Sequence, residues 1–262
     1  MRERIDPQIL GTIARRTSLL HRIRDGCRDK RELEQSLDIS RSTLDRAVRR
    51  LSDEGVVRYQ NGKCTVTLFG QLALEEYEQL NTRYEALDKS KPLLQVLNPD
   101  IPLDPQVFDG AHIVLSEKPA PHAPINGLED HLEQCHSIIG FSPVVLPRYV
   151  EIFYEHAVER DVEIELILNC DLVKYLWTAY PSKLQDVLEQ ENTTVCRIDE
   201  TTKIGIVVVD NEQVWIGVYD DGGLEGAIIN DNEFTLEWAT DMLHTYRSQA
   251  EKVFLRGRSS VV

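Results

Sequence analysis

The chain has 262 residues, 42% of them hydrophobic and 28% charged, with a formal net charge of −15. That content builds packed cores easily, and the length suits two modest domains at roughly 100–200 residues each. No segment approaches the ~18 consecutive apolar residues of a membrane-spanning helix. The opening MRERIDPQIL has no apolar signal core, so neither membrane insertion nor secretion is expected, and the expected location is cytoplasmic.

The charge is unevenly divided. Residues 1–69 carry 15 Lys+Arg against 10 Asp+Glu, a net of +5, which leaves 14 and 34 of the chain's 29 and 44 for the remainder. A phosphate-binding surface needs local positive charge, not a positive average. The acidity of the rest fits a protein adapted to high salt, and an ordinary acidic surface would read the same. Five cysteines, Cys27, Cys64, Cys135, Cys170 and Cys196, are scattered and form no CxxC pair. Free thiols are therefore expected, with neither a disulfide framework nor zinc, and no cofactor is expected either.

Residues 7–24 read as a helix, with Pro7 suited to its first turn and Asp6 as its cap. Asp29 caps a short helix carrying Leu33 and Leu37, with Glu32 as capping partner. Asp38-Ile39 turns the chain, and Ser40 starts a third helix that runs through Glu54 and stops at Gly55. Two extended runs follow, Val56–Tyr59 and Cys64–Leu68, joined at Asn61-Gly62, a favourable hairpin turn. Helix, helix, turn, helix, hairpin is the order of a winged helix-turn-helix.

Residues 70–89 return to helix. Ala73, Tyr77, Leu80, Tyr84 and Leu87 form a seam of about two heptads, readable as a dimerisation helix or as a helix lying on its own domain. Seven of the eleven prolines fall in 90–127, so this stretch reads as a linker enclosing one strand, Ala111–Leu115. Helices are expected at Gly127–Cys135, from Pro147, at Leu172–Tyr180 and at Lys183–Glu189, and strands at Val162–Leu168, Lys203–Asp210 and Gln213–Tyr219. The last two read as strands covered on both faces. Turns are expected at Asn211-Glu212 and Asp220–Gly223, and a closing helix over Glu233–Phe254. The domains are expected as 1–69 for the winged helix, 70–104 for a helical dimerisation segment and linker, and 105–262 for an α/β effector or dimerisation domain.

At about 100° per residue, Leu44, Ala47, Val48 and Leu51 gather on one side of the third helix, while Ser42, Arg46, Arg49 and Asp53 point away. Arg46 and Arg49 are the candidate base readers, since a guanidinium can donate a bidentate pair to guanine in the major groove. Ser40, Ser42 and Thr43 lie where hydroxyls and free backbone N–H groups can hold phosphate. Arg41 and Arg50 on the flanks, and Arg58 and Lys63 in the hairpin, are further candidates for the DNA backbone. Asp45 is expected to fix a neighbouring arginine or to face water.

The stretch LDISRSTLDRAVRRLSDEGVV at 37–57 resembles archaeal winged-helix regulators. HAPIN at 122–126, GFSPVVLPRYVEIF at 140–153, VEIELILN at 162–169, GIVVVDNEQVWIGVYDDGGLEGAI at 205–228 and EWATDMLHTYRSQA at 237–250 resemble the effector domain of those related to the methanogenesis and filamentation regulator, in haloarchaeal style. The resemblance implies an α+β winged helix-turn-helix followed by an α/β domain, phospholipase-D-like without its catalytic motif. It further implies a homodimer that binds double-stranded DNA and senses a small metabolite. An effector-independent promoter-blocking or architectural DNA binder is the alternative, and a phosphodiesterase-like enzyme a third reading.

An enzyme is not expected. The phospholipase D signature is H-x-K, and none of His21, His112, His122, His131, His136, His156 and His244 has lysine two residues on. Cys135 and His136 are neighbours, which a helix turns about 100° apart, so they do not pair as nucleophile and base. His131 and Cys135 share a helical face, with His122 as a third member of a weak metal or redox site. Trp215 and Tyr219 alternate in a strand and read as core, and Arg148 and Tyr149 are minor pocket candidates.

Overall fold

The computed structural model describes residues 7–255 apart from 28, 118, 121, 122 and 222. Asp6, His122 and Gly222 of the expected cap, metal site and turn lie outside the described residues. The chain divides into two compact units, one ending at Thr82 and the other starting at Arg83.

In the first unit, α1 (Pro7–Arg24), α2 (Lys30–Leu37) and α3 (Arg41–Asp53) pack around Leu20, Leu33, Leu44 and Leu51, all fully buried. Asp29 caps α2 by accepting the Arg31 N–H at 2.7 Å, while Glu32 receives the Cys27 thiol at 3.9 Å. The cap thus closes on Arg31, not through Glu32. Asp38 turns the chain with φ 49°, and Ser40 caps α3 by accepting the Thr43 N–H at 3.3 Å. Gly55 leaves the helix at φ 73°, where a side chain would be strained.

Strands β1 (Val57–Gln60) and β2 (Lys63–Val66) pair antiparallel. Asn61 and Gly62 both have positive φ, 53° and 78°, as the twist-matched two-residue hairpin requires. Helix α4 (Leu68–Lys89) follows. Of its expected seam, Ala73 and Tyr77 pack on the core of the first unit and Leu87 on that of the second, while Tyr84 is exposed.

The second unit is built on a mixed sheet whose strand order is β10-β6-β5-β4-β7-β8-β9-β3. The strands are β3 (His112–Leu115), β4 (Ser137–Ser142), β5 (Glu163–Asn169), β6 (Thr193–Ile198), β7 (Ile204–Val209), β8 (Gln213–Asp220), β9 (Gly223–Asn230) and β10 (Glu251–Lys252). Strand β5 runs parallel to β4 and β6, and every other pairing is antiparallel.

Alternation sends Ile167, Ile206, Ile216 and Ile228 to one face, where α10 (Glu233–Gln249) brings Leu243 and Tyr246. The proline-rich stretch also reaches this core, for α5 (Lys91–Gln95) contributes Leu93, and the 3-10 turn Pro105–Phe108 contributes Val107 and Phe108. The opposite face carries α6 (Ala123–Leu132), α7 (Pro147–Tyr154), α8 (Cys170–Ala179) and α9 (Pro181–Glu189), packed on residues such as Ile138, Ile164, Val195 and Trp215. The result is a sheet with helices on both sides.

Several boundaries differ from expectation. The helix expected at 127–135 starts at Ala123 and ends at Leu132, with Pro124 in its first turn. The closing helix ends at Gln249, because Glu251 and Lys252 pair with Arg197 and Cys196. The β7–β8 turn has positive φ at Asp210 and Asn211, one residue earlier than expected. There Asp210 accepts the backbone N–H groups of His136 and Ser137, each at 2.8 Å. This pins the turn to the start of β4.

Candidate nucleic-acid interface

The buried residues of α3 are Leu44, Ala47, Val48 and Leu51, while Arg41, Ser42, Asp45, Arg46, Arg49, Arg50 and Asp53 are exposed. Arg46 and Arg49 lie one turn apart on that face, and among the described residues neither has a carboxylate within ion-pairing distance. Their guanidinium groups are therefore presented to solvent with their donors uncommitted. At the N-terminus of α3, Ser40 Oγ lies 3.1 Å from Ser42 Oγ and 2.9 Å from Thr43 Oγ1, a hydroxyl cluster beside the helix's unpaired N–H groups.

The other candidates differ. Arg41 is exposed, 3.8 Å from the carboxylates of both Glu34 and Asp45. Arg50 is tied back to Glu54, whose Oε1 accepts from Arg50 Nε at 3.1 Å and from Thr12 Oγ1 at 2.9 Å. Arg58 and Lys63 are both exposed on the hairpin, in β1 and β2 respectively, Arg58 opposite Thr65 and Lys63 opposite Gln60.

One residue was missed in the sequence. Lys30, in the first turn of α2, is mostly covered, and its ammonium lies 2.6 Å from Asp45 Oδ1 and 4.1 Å from the centre of the Tyr59 ring. One cation thus joins α2, α3 and the hairpin. Its signal, a lysine after the cap Asp29, is indistinguishable from a surface residue until Tyr59 is brought over it. The hydrogen bond from Lys30 holds the Asp45 carboxyl below the ordinary aspartate range, with Arg41 and Arg49 adding to it against a smaller opposing effect of burial.

Replacing Lys30 by methionine is expected to remove a cation–π contact of about 0.5–1 kcal/mol and to lower the urea midpoint of the winged-helix unit. A lowered folded-state pKa means that the Asp45 contribution is present above the unfolded value and is lost as pH falls through the folded one. The margin of the wild type over Lys30→Met should therefore hold at neutral pH. It should narrow only below the ordinary carboxylate range. An unchanged midpoint would show that the contact does not brace the hairpin.

Elsewhere the expected cores are found. Trp215 and Tyr219 are buried. Burial raises the Cys135 thiol to about 11, and the neighbouring Asp210 adds to this, so it is a poor nucleophile at neutral pH. His136 is exposed beside Asp210, while His131 Nδ1 is held 2.8 Å from the Gly127 carbonyl and its ring lies edge-on to Trp215. Among the described residues no three His, Cys, Asp or Glu side chains gather as a metal site. No described helix is long and apolar enough to cross a membrane.

Two family models match the sequence. Residues 4–89 match the HVO_A0261 N-terminal domain, and residues 121–249 match the middle domain of the methanogenesis regulatory protein FilR1. No curated protein sequence matches the chain. Among solved structures the chain is similar to TrmBL2, described as an archaeal chromatin protein with a novel mode of DNA binding. That likeness has 17% identity over 86% of this chain and 87% of that one, with a TM-score of 0.43. It is also similar to NucT from Helicobacter pylori, at 13% identity over 55% of this chain and 97% of that one, TM-score 0.40. Nuc, a phospholipase D family member from Salmonella typhimurium, is similar at 9% identity over 55% and 98%, TM-score 0.41. The fold itself is a helical domain with a wing, followed by a larger mixed α/β domain. The chain thus joins a segment similar to the HVO_A0261 N-terminal domain to one similar to the middle domain of the methanogenesis regulatory protein FilR1.

Proposed function

We propose that this protein is a regulator that binds double-stranded DNA by laying α3 in the major groove. The observation that carries this reading is the pair Arg46 and Arg49, exposed and without ion-pair partners among the described residues, on a helix whose opposite stripe is buried. Ser40, Ser42, Thr43 and Arg41 would take phosphates at the helix start, and Arg58 and Lys63 would reach the flanking backbone. Arg50 would join them by exchanging Glu54 for a phosphate.

The fuller form of the proposal is a cytoplasmic homodimer that reads two half-sites about 34 Å apart and responds to a small metabolite in its α/β unit. A second reading is an effector-independent promoter-blocking or architectural binder; TrmBL2, to which the chain is similar, is described as a chromatin protein. The arginine face of α3 serves both readings alike, and the experiment below separates them.

Genome-wide occupancy, followed by binding to recovered and random duplexes at two salt concentrations, tests the reading. Recovered sites bound about 1,000-fold or more tighter than random ones would mark a sequence-specific regulator. Equal affinity for both, with a steep salt dependence, would mark the architectural binder. Absence of duplex binding at low salt would overturn both.

A further inference from the structure

On the face of the sheet that carries α6 to α9 lies a cavity of about 120 Å³. Its walls are aliphatic and aromatic, with Leu128, Phe153, Leu166 and Val207 among them. The size is near that of an apolar cavity of ~150 Å³ that admits benzene.

Three glycines lie in its wall, two of them making room for a tyrosine ring. Gly140 in β4, Gly205 in β7 and Gly217 in β8 all line the cavity, and Gly205 and Gly217 stand opposite each other in the β7–β8 register. The ring of Tyr219 lies against this pair. A Cβ at Gly217 would come within 2.9 Å of the Tyr219 hydroxyl, and one at Gly205 within 3.1 Å of its ring. The β8–β9 register shifts at Val218/Tyr219, the point where this ring is placed.

The hydroxyl so positioned lies 3.1 Å from that of Tyr149 on α7, and both tyrosines are buried. Ser142 Oγ, on the same lining, donates to the Val144 carbonyl at 2.7 Å. Burial keeps both phenols protonated, raising Tyr219 well above its ordinary value and Tyr149 to a lesser degree. The two phenol hydroxyls share one hydrogen bond in which either can donate, so the pair keeps one proton and free lone pairs for a third group. Lys183, a cation on the lining, is occupied, its ammonium paired with Glu151 and 5.0 Å from the Tyr154 ring centre.

We infer that this cavity binds a small, uncharged, mainly hydrocarbon molecule of about the size of one aromatic ring, whose single oxygen hydrogen-bonds to the Tyr149–Tyr219 hydroxyl pair. A carboxylate would find no free cation among the described residues of the lining and would lose its hydration. A pure hydrocarbon would leave the remaining proton of the hydroxyl pair without a partner.

Calorimetric titration of the full-length protein, without DNA, with phenol, toluene and benzoate tests this. Phenol should bind about three- to tenfold tighter than toluene, the return on one net hydrogen bond. Benzoate should not bind in the same range. Tyr149→Phe should bring phenol down to the affinity of toluene while leaving toluene unchanged. Tyr219→Phe, which keeps the ring on the glycines, should do the same and serves if the first variant does not fold. Heat from neither neutral probe, equal affinities for the two in the wild type, or a benzoate affinity matching phenol would overturn the assignment. The inference rests on the effector reading only for its consequence, measured separately as DNA affinity with and without phenol. Phenol binding with unchanged DNA affinity would uphold the cavity and overturn the coupling.

Discussion

Replacing Arg46 and Arg49 together by alanine is expected to weaken binding to the preferred duplex by about 100-fold or more, while random duplexes lose much less. A bidentate arginine–guanine pair is worth about 1–3 kcal/mol of discrimination, and about 1.4 kcal/mol is a factor of ten. The two side chains lie one turn apart, so the double loss need not equal the sum of the single ones. Both are exposed and neither belongs to the buried stripe of α3. Stability should therefore stay within about 0.5 kcal/mol of the wild type, which separates loss of recognition from loss of fold. Arg41→Ala is the contrasting case, because a phosphate contact serves all sequences alike. Its removal should flatten the dependence of log affinity on log salt by about 0.9. Fluorescence anisotropy with preferred and scrambled duplexes at several salt concentrations reads both effects. An undiminished preference in the double variant would remove α3 from the proposed interface.

The winged-helix unit was legible because each of its boundaries is written locally. Ser40 caps α3 within three residues, Gly55 ends it, and Asn61-Gly62 closes the hairpin. Strands β7 and β8 were legible as near-continuous apolar runs. Strands β4, β6 and β9 were not assigned, for physical reasons. Gly140 interrupts β4, Thr193, Thr194 and Arg197 dilute β6, and Gly223 and Gly226 thin β9. What makes them strands is pairing at long range: β4 is held between β5 and β7, and His112 of β3 pairs with Ile229. The same limit hid the functional details. Lys30 acquires its meaning from Asp45 and Tyr59, and Tyr149 from Tyr219, 70 residues away. The exposure of Arg46 and Arg49 on α3 needed only a helical wheel.

Gly70 is the sharpest case of a constraint that local pattern cannot show, and Gly70→Ala is expected to unfold the first unit selectively. Alanine is ordinarily the better helix former by about 1 kcal/mol, so the helix containing Gly70, α4, should gain. The structure reverses the sign. A Cβ at position 70 would lie 2.0 Å from the Val56 carbonyl oxygen and 2.8 Å from its carbon, both backbone atoms that no rotamer change can move. That carbonyl is itself fixed, since it accepts the Thr67 N–H at 3.0 Å, while Thr67 Oγ1 accepts the Gly70 N–H at 2.9 Å and donates to the Gly55 carbonyl at 2.6 Å. Relief requires α4 to draw back from Val56, which lies between α3 and β1, and overpacking of this kind costs about 3 kcal/mol. For a domain of this size that lowers Tm by roughly 10–20 °C. All three tryptophans, Trp177, Trp215 and Trp238, lie in the second unit, so tryptophan emission reports that unit alone, whereas far-UV circular dichroism sees the helices of both. The expected result is an early loss of helical signal with the emission transition unmoved. A helical signal that melts with the wild type would mean that α4 tolerates the methyl group, and that the close approach to Val56 does not lock the wing to its helix.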